Sequence, residues 1–259
     1  MATYLDAILA AHREAAAADR RSLHVALAEV EHLPPARGFR DAIAAVDGLG
    51  VIAEVKRRSP SKGDLAADLD PAALAGDYAR GGATCLSVLT DVEHFGGSGE
   101  DLAAARSAVE VPVLRKDFVV SELDVVDSVA MGADAVLLIA AALDDAELTD
   151  FWVLATELGL DALVEVHDEA EVERALAVGA RLIGVNQRDL VTFEVDTERA
   201  VRVAAVLPDD AVRVAESGVR GPADAAVLAA AGYHAVLVGE SLVTSGDPAA
   251  AVRALRSAR

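Results

Sequence analysis

Three lysines stand among the 23 basic side chains of this 259-residue sequence, and every other cation is arginine. Lys56 and Lys62 lie in VIAEVKRRSPSKG and Lys116 lies in VPVLRKDF. A desolvated ammonium can release its proton, whereas a guanidinium keeps its own at any working pH. Amines placed where apolar runs give way to polar residues therefore point to proton transfer, or to capture of a compact anion. Lysines that act as acids are expected to have a pKa lowered by burial. The alternative is codon bias that left three lysines by chance. Lys62 sits in a loop and fits a solvated role equally well.

Other reactive side chains fall at the ends of apolar runs. In order they are Glu54 with Lys56, Ser87 with Thr90, Lys116, Glu165, Asn186 with Arg188, Glu216-Ser217-Gly218, and Gly239-Glu240-Ser241. Strand alternation places Glu54 and Lys56 on one face, and likewise Asn186 and Arg188. Several acids and amines then converge on one small ligand, or else form an ion-pair network without catalysis. Burying so many charges at one end favours the functional reading. ESGV and VGESL close the last two apolar runs. There, backbone N–H groups, the Ser217 hydroxyl and the small Gly218 and Gly239 could cradle a phosphate. Ser59 in SPSKG could touch the same anion. Residues 56–62, Arg115–Lys116 and Arg188 are candidates for a local positive cluster. His167 reads as a capping or surface residue beside the helix start at Asp168 and Glu169. The remaining histidines show no ligand spacing, and no metal motif is present. Cys85, the single cysteine, lies in the apolar run CLSVL and reads as a buried structural thiol.

These side chains need a frame that brings distant segments together. A helix-like stretch, a glycine and a short apolar run recur at GGATCLSVLT, MGADAVLLIA, VGARLIGVNQ and AGYHAVLVGE. Gly82, Gly132, Gly179 and Gly232 are placed to end each helix in the left-handed conformation. LGVIAEVK, VPVLRKD, LDALVEVH and AVRVAES interleave with them, giving eight strand candidates, each followed by a helical pattern. Continuous apolar strands alternating with amphipathic helices predict a parallel sheet covered on its faces. Eight units in this length predict an α/β fold, a (β/α)8 TIM barrel, over residues 49–259. An open doubly wound sheet is the alternative. It lacks the glycine fingerprint after its first strand, and no Walker-type phosphate loop occurs. Residues 1–48 predict a helical extension packed on the barrel, with a break at Pro34-Pro35.

The net charge of −20 and a pI near 4.5 argue against nucleic acid and anionic membranes as partners. No apolar run is long enough to span a bilayer, and the N-terminal sequence lacks the pattern of a signal or transit peptide. A lone thiol fits a reducing compartment. A cytoplasmic protein is expected, monomeric or at most a weak dimer.

The ordered motifs IAEVKRRSPSKG, LSVLTDVEHFGGS, VLRKDFV, ALVEVH, IGVNQRDL, VAESGV and VLVGESLV resemble indole-3-glycerol-phosphate synthase, a family of TIM-barrel carboxy-lyases in tryptophan biosynthesis. The resemblance runs from about residue 3 to the C-terminus, and the N-terminal helix looks like the family's extension over the barrel mouth. It implies ring closure of 1-(2-carboxyphenylamino)-1-deoxyribulose 5-phosphate to indole-3-glycerol phosphate, with loss of CO2 and water and without metal or organic cofactor. It implies that Lys116 is the general acid and that Lys56 pairs with the anthranilate carboxylate, with a second proton donor's role open to it. Glu165 would serve the later dehydration, with Glu54 and Asn186 orienting hydroxyls. Arg188 would add positive charge and Glu216 would position the ligand or the lysines. Ser59, Ser217, Gly218, Gly239 and the backbone of Glu240 would hold the phosphate, and Phe118 and Leu137 would line the aromatic pocket. A phosphoribosylanthranilate isomerase would want a thiol base at the end of strand 1. A Schiff-base aldolase would use a strand-end lysine covalently, and a non-catalytic sensor would bind without turnover.

Overall fold

The computed structural model describes residues 4–60, 62–189 and 191–258; residues 1–3 of the N-terminal extension, Ser61, Leu190 and Arg259 lie outside the described residues. Eight parallel strands close on themselves, each bonded to its neighbours in sequence and the last to the first. They are β1 (Gly50–Val55), β2 (Cys85–Leu89), β3 (Val113–Lys116), β4 (Ala135–Ile139), β5 (Asp161–Val166), β6 (Leu182–Asn186), β7 (Val212–Glu216) and β8 (Ala235–Val238). Closure leaves no free sheet edge and aims every strand's C-terminal end at one rim. The likeness to a TIM barrel predicted from strand spacing is realised in the hydrogen-bond ladder.

Three helices precede β1: α1 (Tyr4–Ala18), α2 (Leu23–Val30) and α3 (Phe39–Ala44). The main outer helices are α4 (Pro71–Gly81), α5 (Gly99–Ala108), α6 (Glu122–Ala130), α7 (Asp145–Glu157), α8 (Glu169–Ala177), α9 (Arg199–Ala204), α10 (Pro222–Ala230) and α11 (Pro248–Arg256). Local sequence sets their ends. Asp70 accepts from the N–H groups of Ala72 and Ala73 with Pro71 at the first position, and Asp144 closes a capping box with Glu147. Gly82, Gly132, Gly179 and Gly232 all take positive φ, as the recurring helix-glycine-strand pattern requires.

Alternation divides the apolar side chains into two layers. One, including Val51, Leu86, Val136 and Val164, packs outward beneath the helices. The other, including Ile52, Leu114, Leu137 and Leu163, fills the barrel. Phe39 and Ile43 of α3 belong to this inner layer. The backbone N–H of Arg40 donates to Asp161 at 2.9 Å, at the N-terminal end of β5. α3 therefore plugs the bottom of the cylinder. Cys85, fully buried beside it, lies 3.7 Å from the Phe39 carbonyl, and burial pushes its thiol pKa up. No helix among the described residues is long and apolar enough to cross a membrane.

Phe39 is 0% exposed, so Phe39→Ala would leave a cavity the strands cannot collapse to fill. The expected loss is about 3–5 kcal/mol of unfolding free energy in a urea titration. A loss below about 1 kcal/mol would show that the plug contributes little.

Candidate active site at the barrel mouth

The upper rim encloses a cavity of about 830 Å³ whose walls include all fourteen residues assigned to the site from sequence. Glu54 at the end of β1 and Lys56 just beyond it form an ion pair of 2.6 Å. Across the mouth, Lys116 Nζ lies 2.9 Å from Glu165 Oε2 and 3.4 Å from Glu216 Oε2. Asn186 Nδ2 donates to Glu165 Oε1 at 3.0 Å. Asn186 Oδ1 in turn accepts from the backbone N–H of Arg188 at 3.0 Å, so one amide fixes both the acid and the loop after β6. The Arg188 guanidinium donates to the Phe193 carbonyl at 3.1 Å. Leu137, in the barrel's inner layer, and Phe118 supply apolar wall.

The phosphate-binding candidates gather beside this cluster. Ser217 and Gly218 have φ of 64° and 75°, two successive left-handed residues, and Gln187 Nε2 holds the Ser217 carbonyl at 2.7 Å. A serine in that region is strained by about 1–3 kcal/mol, a cost typical of ligand-binding turns. Ser59 is buried and its hydroxyl has no hydrogen-bond partner among the described residues. Gly239 begins the short turn Glu240–Val243. Glycine at this position also makes room for the ion pair at the end of β1. A Cβ there would stand 2.3 Å from Glu54 Oε1 and 3.0 Å from Lys56 Nζ. Lys62 lies 3.8 Å from Glu240 at the solvent edge.

Two sequence expectations are overturned. Burial works to lower the Lys116 pKa, but Glu165, Glu216 and Glu54 outweigh it and hold the ammonium charged, with a pKa above that of an ordinary lysine. Lys116 is therefore a stabilised cation, not a depressed amine. The cationic cluster is also smaller than the sequence suggested. Alternation turns Arg115 to the side opposite Lys116, where it bonds Asp117 and Thr90, and Arg57 is consumed by Asp101 and the carbonyls of Ala67 and Leu69.

Sequence reasoning also missed several contributors. Gly184 on β6 makes room for Glu216, whose Oε1 would lie 2.1 Å from a Cβ at that position. Glycine inside an apolar strand was the available signal. His167 is half-buried and faces Glu165 at 3.6 Å, which its position before a helix start concealed. From α1, Tyr4, Leu5 and Ile8 line the cavity. His12 pins that helix to Asp91 at 3.0 Å, and Arg13 pairs with Glu147 at 2.6 Å. His12, Asp91 and Asp117 lie close together, but Asp91 already accepts from His94 as well, and Asp117 from Thr90 and Arg115.

Two buried carboxylates share one ammonium here, and they cannot ionise equally. Burial drives both pKa values up. Lys116, His167 and Asn186 more than reverse this for Glu165 and hold it well below the usual carboxylate range. Glu216 has Lys116 in its favour but Glu165 against it, and stays raised.

A phosphate-type turn, two amines and a split pair of carboxylates at the C-terminal rim of a (β/α)8 barrel define an enzyme of small phosphorylated substrates. The family model for indole-3-glycerol phosphate synthase matches residues 5–255. A synthase of that name from Nocardioides sp. is 57% identical over 231 residues, covering 89% of this chain and 87% of the relative. One from Mycobacterium leprae is 52% identical over 260 residues, covering 99% and 95%. Among solved structures, a 3-hexulose-6-phosphate synthase superposes with a TM-score of 0.62 at 18% identity, covering 82% of this chain and 99% of that one. Thiamine phosphate pyrophosphorylase from Pyrococcus furiosus gives 0.61 at 15% identity, covering 84% and 95%. Those two likenesses concern the fold. The chain belongs to the indole-3-glycerol phosphate synthase family, and its activity is that carboxy-lyase reaction of tryptophan biosynthesis.

Because the Glu216 carboxyl binds its proton more tightly folded than unfolded, its contribution to stability falls as pH rises from the unfolded carboxylate value through the raised folded value. Glu216→Gln mimics the protonated form. Its stability relative to the parent should be constant below about pH 4 and should improve above it, by at most about 1.4 kcal/mol per pH unit. Urea titrations across pH 4–9 would read this, and a difference independent of pH would contradict the assignment.

Proposed function

We propose that Lys116 protonates the substrate ketone oxygen as the aromatic ring carbon attacks it, the step that forms the new carbon–carbon bond. The observation that supports this is one ammonium lying 2.9 Å from Glu165 and 3.4 Å from Glu216 in the cavity that also holds Lys56 and the Ser217-Gly218 turn. The developing alkoxide is far more basic than a ketone, so even a well-stabilised ammonium can protonate it. Glu216, with its raised pKa, stands beside the resulting amine with a proton to return. The same stabilised charge disfavours a Schiff-base role for Lys116, which needs a free amine.

Lys56 takes the anthranilate carboxylate, exchanging it for Glu54. With Leu137 and Phe118 around the ring, loss of CO2 leaves its bonding electrons to restore aromaticity. Removal of the hydroxyl as water then takes one proton in and one proton off the new ring. The Lys56 ammonium gives the proton that leaves with the hydroxyl, and Glu165, held ionised, takes the one off the ring, with Asn186 fixing its orientation and Glu54 and Asn186 reaching substrate hydroxyls. Arg188 adds positive charge at the carboxylate end. The phosphate sits against Ser59, Ser217, Gly218, Gly239 and the N–H of Glu240, supplying binding energy remote from the reacting atoms. Residues 1–48 serve as an extension of the catalytic barrel at 49–259. The acidic surface and the single buried thiol fit a cytoplasmic protein without nucleic-acid partners, monomeric or weakly dimeric.

Turnover is read by mixing the protein with the carboxyphenylamino substrate and following indole fluorescence. Lys116→Arg should lower kcat by about 100-fold or more while substrate still binds, and near-normal kcat would remove Lys116 from the acid role. Ser217→Asp, placing an anion in the turn, should raise KM by about tenfold or more with a smaller effect on kcat. An unchanged KM would contradict the phosphate assignment.

A further inference from the structure

Glu165 is contacted from two sides. Its Oε2 meets Lys116, while Oε1 accepts from Asn186 and faces His167 Nε2 at 3.6 Å. That ring nitrogen is buried and has no hydrogen-bond partner among the described residues. The other ring nitrogen, Nδ1, lies 3.1 Å from Glu171 Oε2, and the same oxygen accepts the backbone N–H of His167 at 2.7 Å. An ionised carboxylate only accepts, so Nδ1 carries a hydrogen and the titrating position is Nε2. The ring is thus clamped from α8 with its ionisable edge turned toward Glu165. A neutral ring points a lone pair at that carboxylate, whereas a protonated ring points an N–H at it.

We propose that His167 is a positioning residue for the reaction, whose charge, fixed in place by Glu171, keeps Glu165 ionised and oriented for its proton transfers. The inference rests on the assignment of Glu165 as the acid–base group. The charged groups facing the ring are Glu165 from β5, Glu171 from α8 and Arg199 from α9. Arg199 opposes the ring's charge and donates to the Asn186 carbonyl at 3.2 Å. Burial also works against protonation, yet Glu171 and Glu165 prevail and the ring's pKa is raised. Lys116 alone would hold both Glu165 and Glu216. Lys116 lies closer to Glu165, and Asn186 and the ring add support at its other oxygen, so Glu165 is the one held low.

Coupling between two titrating groups is reciprocal: each must shift the other equally. Nitrogen-15 NMR of histidine-labelled protein, with the His167 signal assigned from His167→Gln, should show the ring titrating at lower pH in Glu165→Gln than in the parent. In kinetics, His167→Gln should move the acidic limb of kcat to higher pH by about half a unit or more, with KM changed less than about twofold. If His167→Gln does not fold, Glu171→Gln keeps the ring but removes its clamp and should lower the ring's titration in the same assay. An unmoved ring titration in Glu165→Gln, or an unmoved acidic limb in a folded His167→Gln, would overturn the proposal. Full turnover by Glu165→Gln would instead overturn the acid–base role of Glu165, while the NMR comparison would still judge the ring–carboxylate link.

Discussion

The ammonium of Lys116 lies between two carboxylates that are each 1% exposed. An unpaired charge at such a site would cost several kcal/mol, and one cation cannot fully compensate two anions. The site resolves this by asymmetry. Asn186 and His167 support Glu165, whereas one Glu216 oxygen, without a hydrogen-bond partner among the described residues, fits into the space left by Gly184. The result is one acid held below and one raised above the usual carboxylate range around a stabilised cation. Such a division of roles by environment is what sequential proton transfers require.

The two kinds of cation in the chain divide along functional lines. Arginines tie carbonyls and acids together in fixed positions. Arg174 binds the carbonyls of Ala140 and Leu143, Arg37 those of Val109 and Val111, and Arg115 that of Asp124. Their planar, multi-donor heads suit permanent bracing. Lys56 and Lys116, by contrast, pair with carboxylates on the cavity wall. The scarcity of lysine noticed in the sequence thus has a structural counterpart.

Much of this was legible before any coordinates. Glycines ending helices at regular intervals, and apolar runs too continuous for a half-exposed sheet, specify the strands and their closure. Polar residues at the strand ends mark the rim because alternation and the barrel leave them nowhere else to point. What stayed hidden depends on contacts between segments far apart in sequence. The direction of the Lys116 shift turns on residues 49 and 100 positions away. The need for glycine at 239 comes from a carboxylate on β1, and the fate of Arg115 from a helix behind its own strand. His167 looked like a helix-start residue, and its neighbour Glu171 does serve that backbone. The ring's second nitrogen meets Glu165 only because the strand ends there and the chain turns.

The segment before β1 touches the cylinder at both ends. α3 fills the base with Phe39 and Ile43, and α1 roofs the mouth through Tyr4, Leu5 and Ile8. Its partners include Asp91, Glu147 and Asp161, and the base it fills is walled by strands up to β8. On a ribosome this segment emerges first, yet the surfaces that receive it are completed last. The closed base around Phe39 and Ile43 in particular can exist only once the last strand has been made. The order of synthesis and the order in which the base of the cylinder is completed are therefore opposed in this chain.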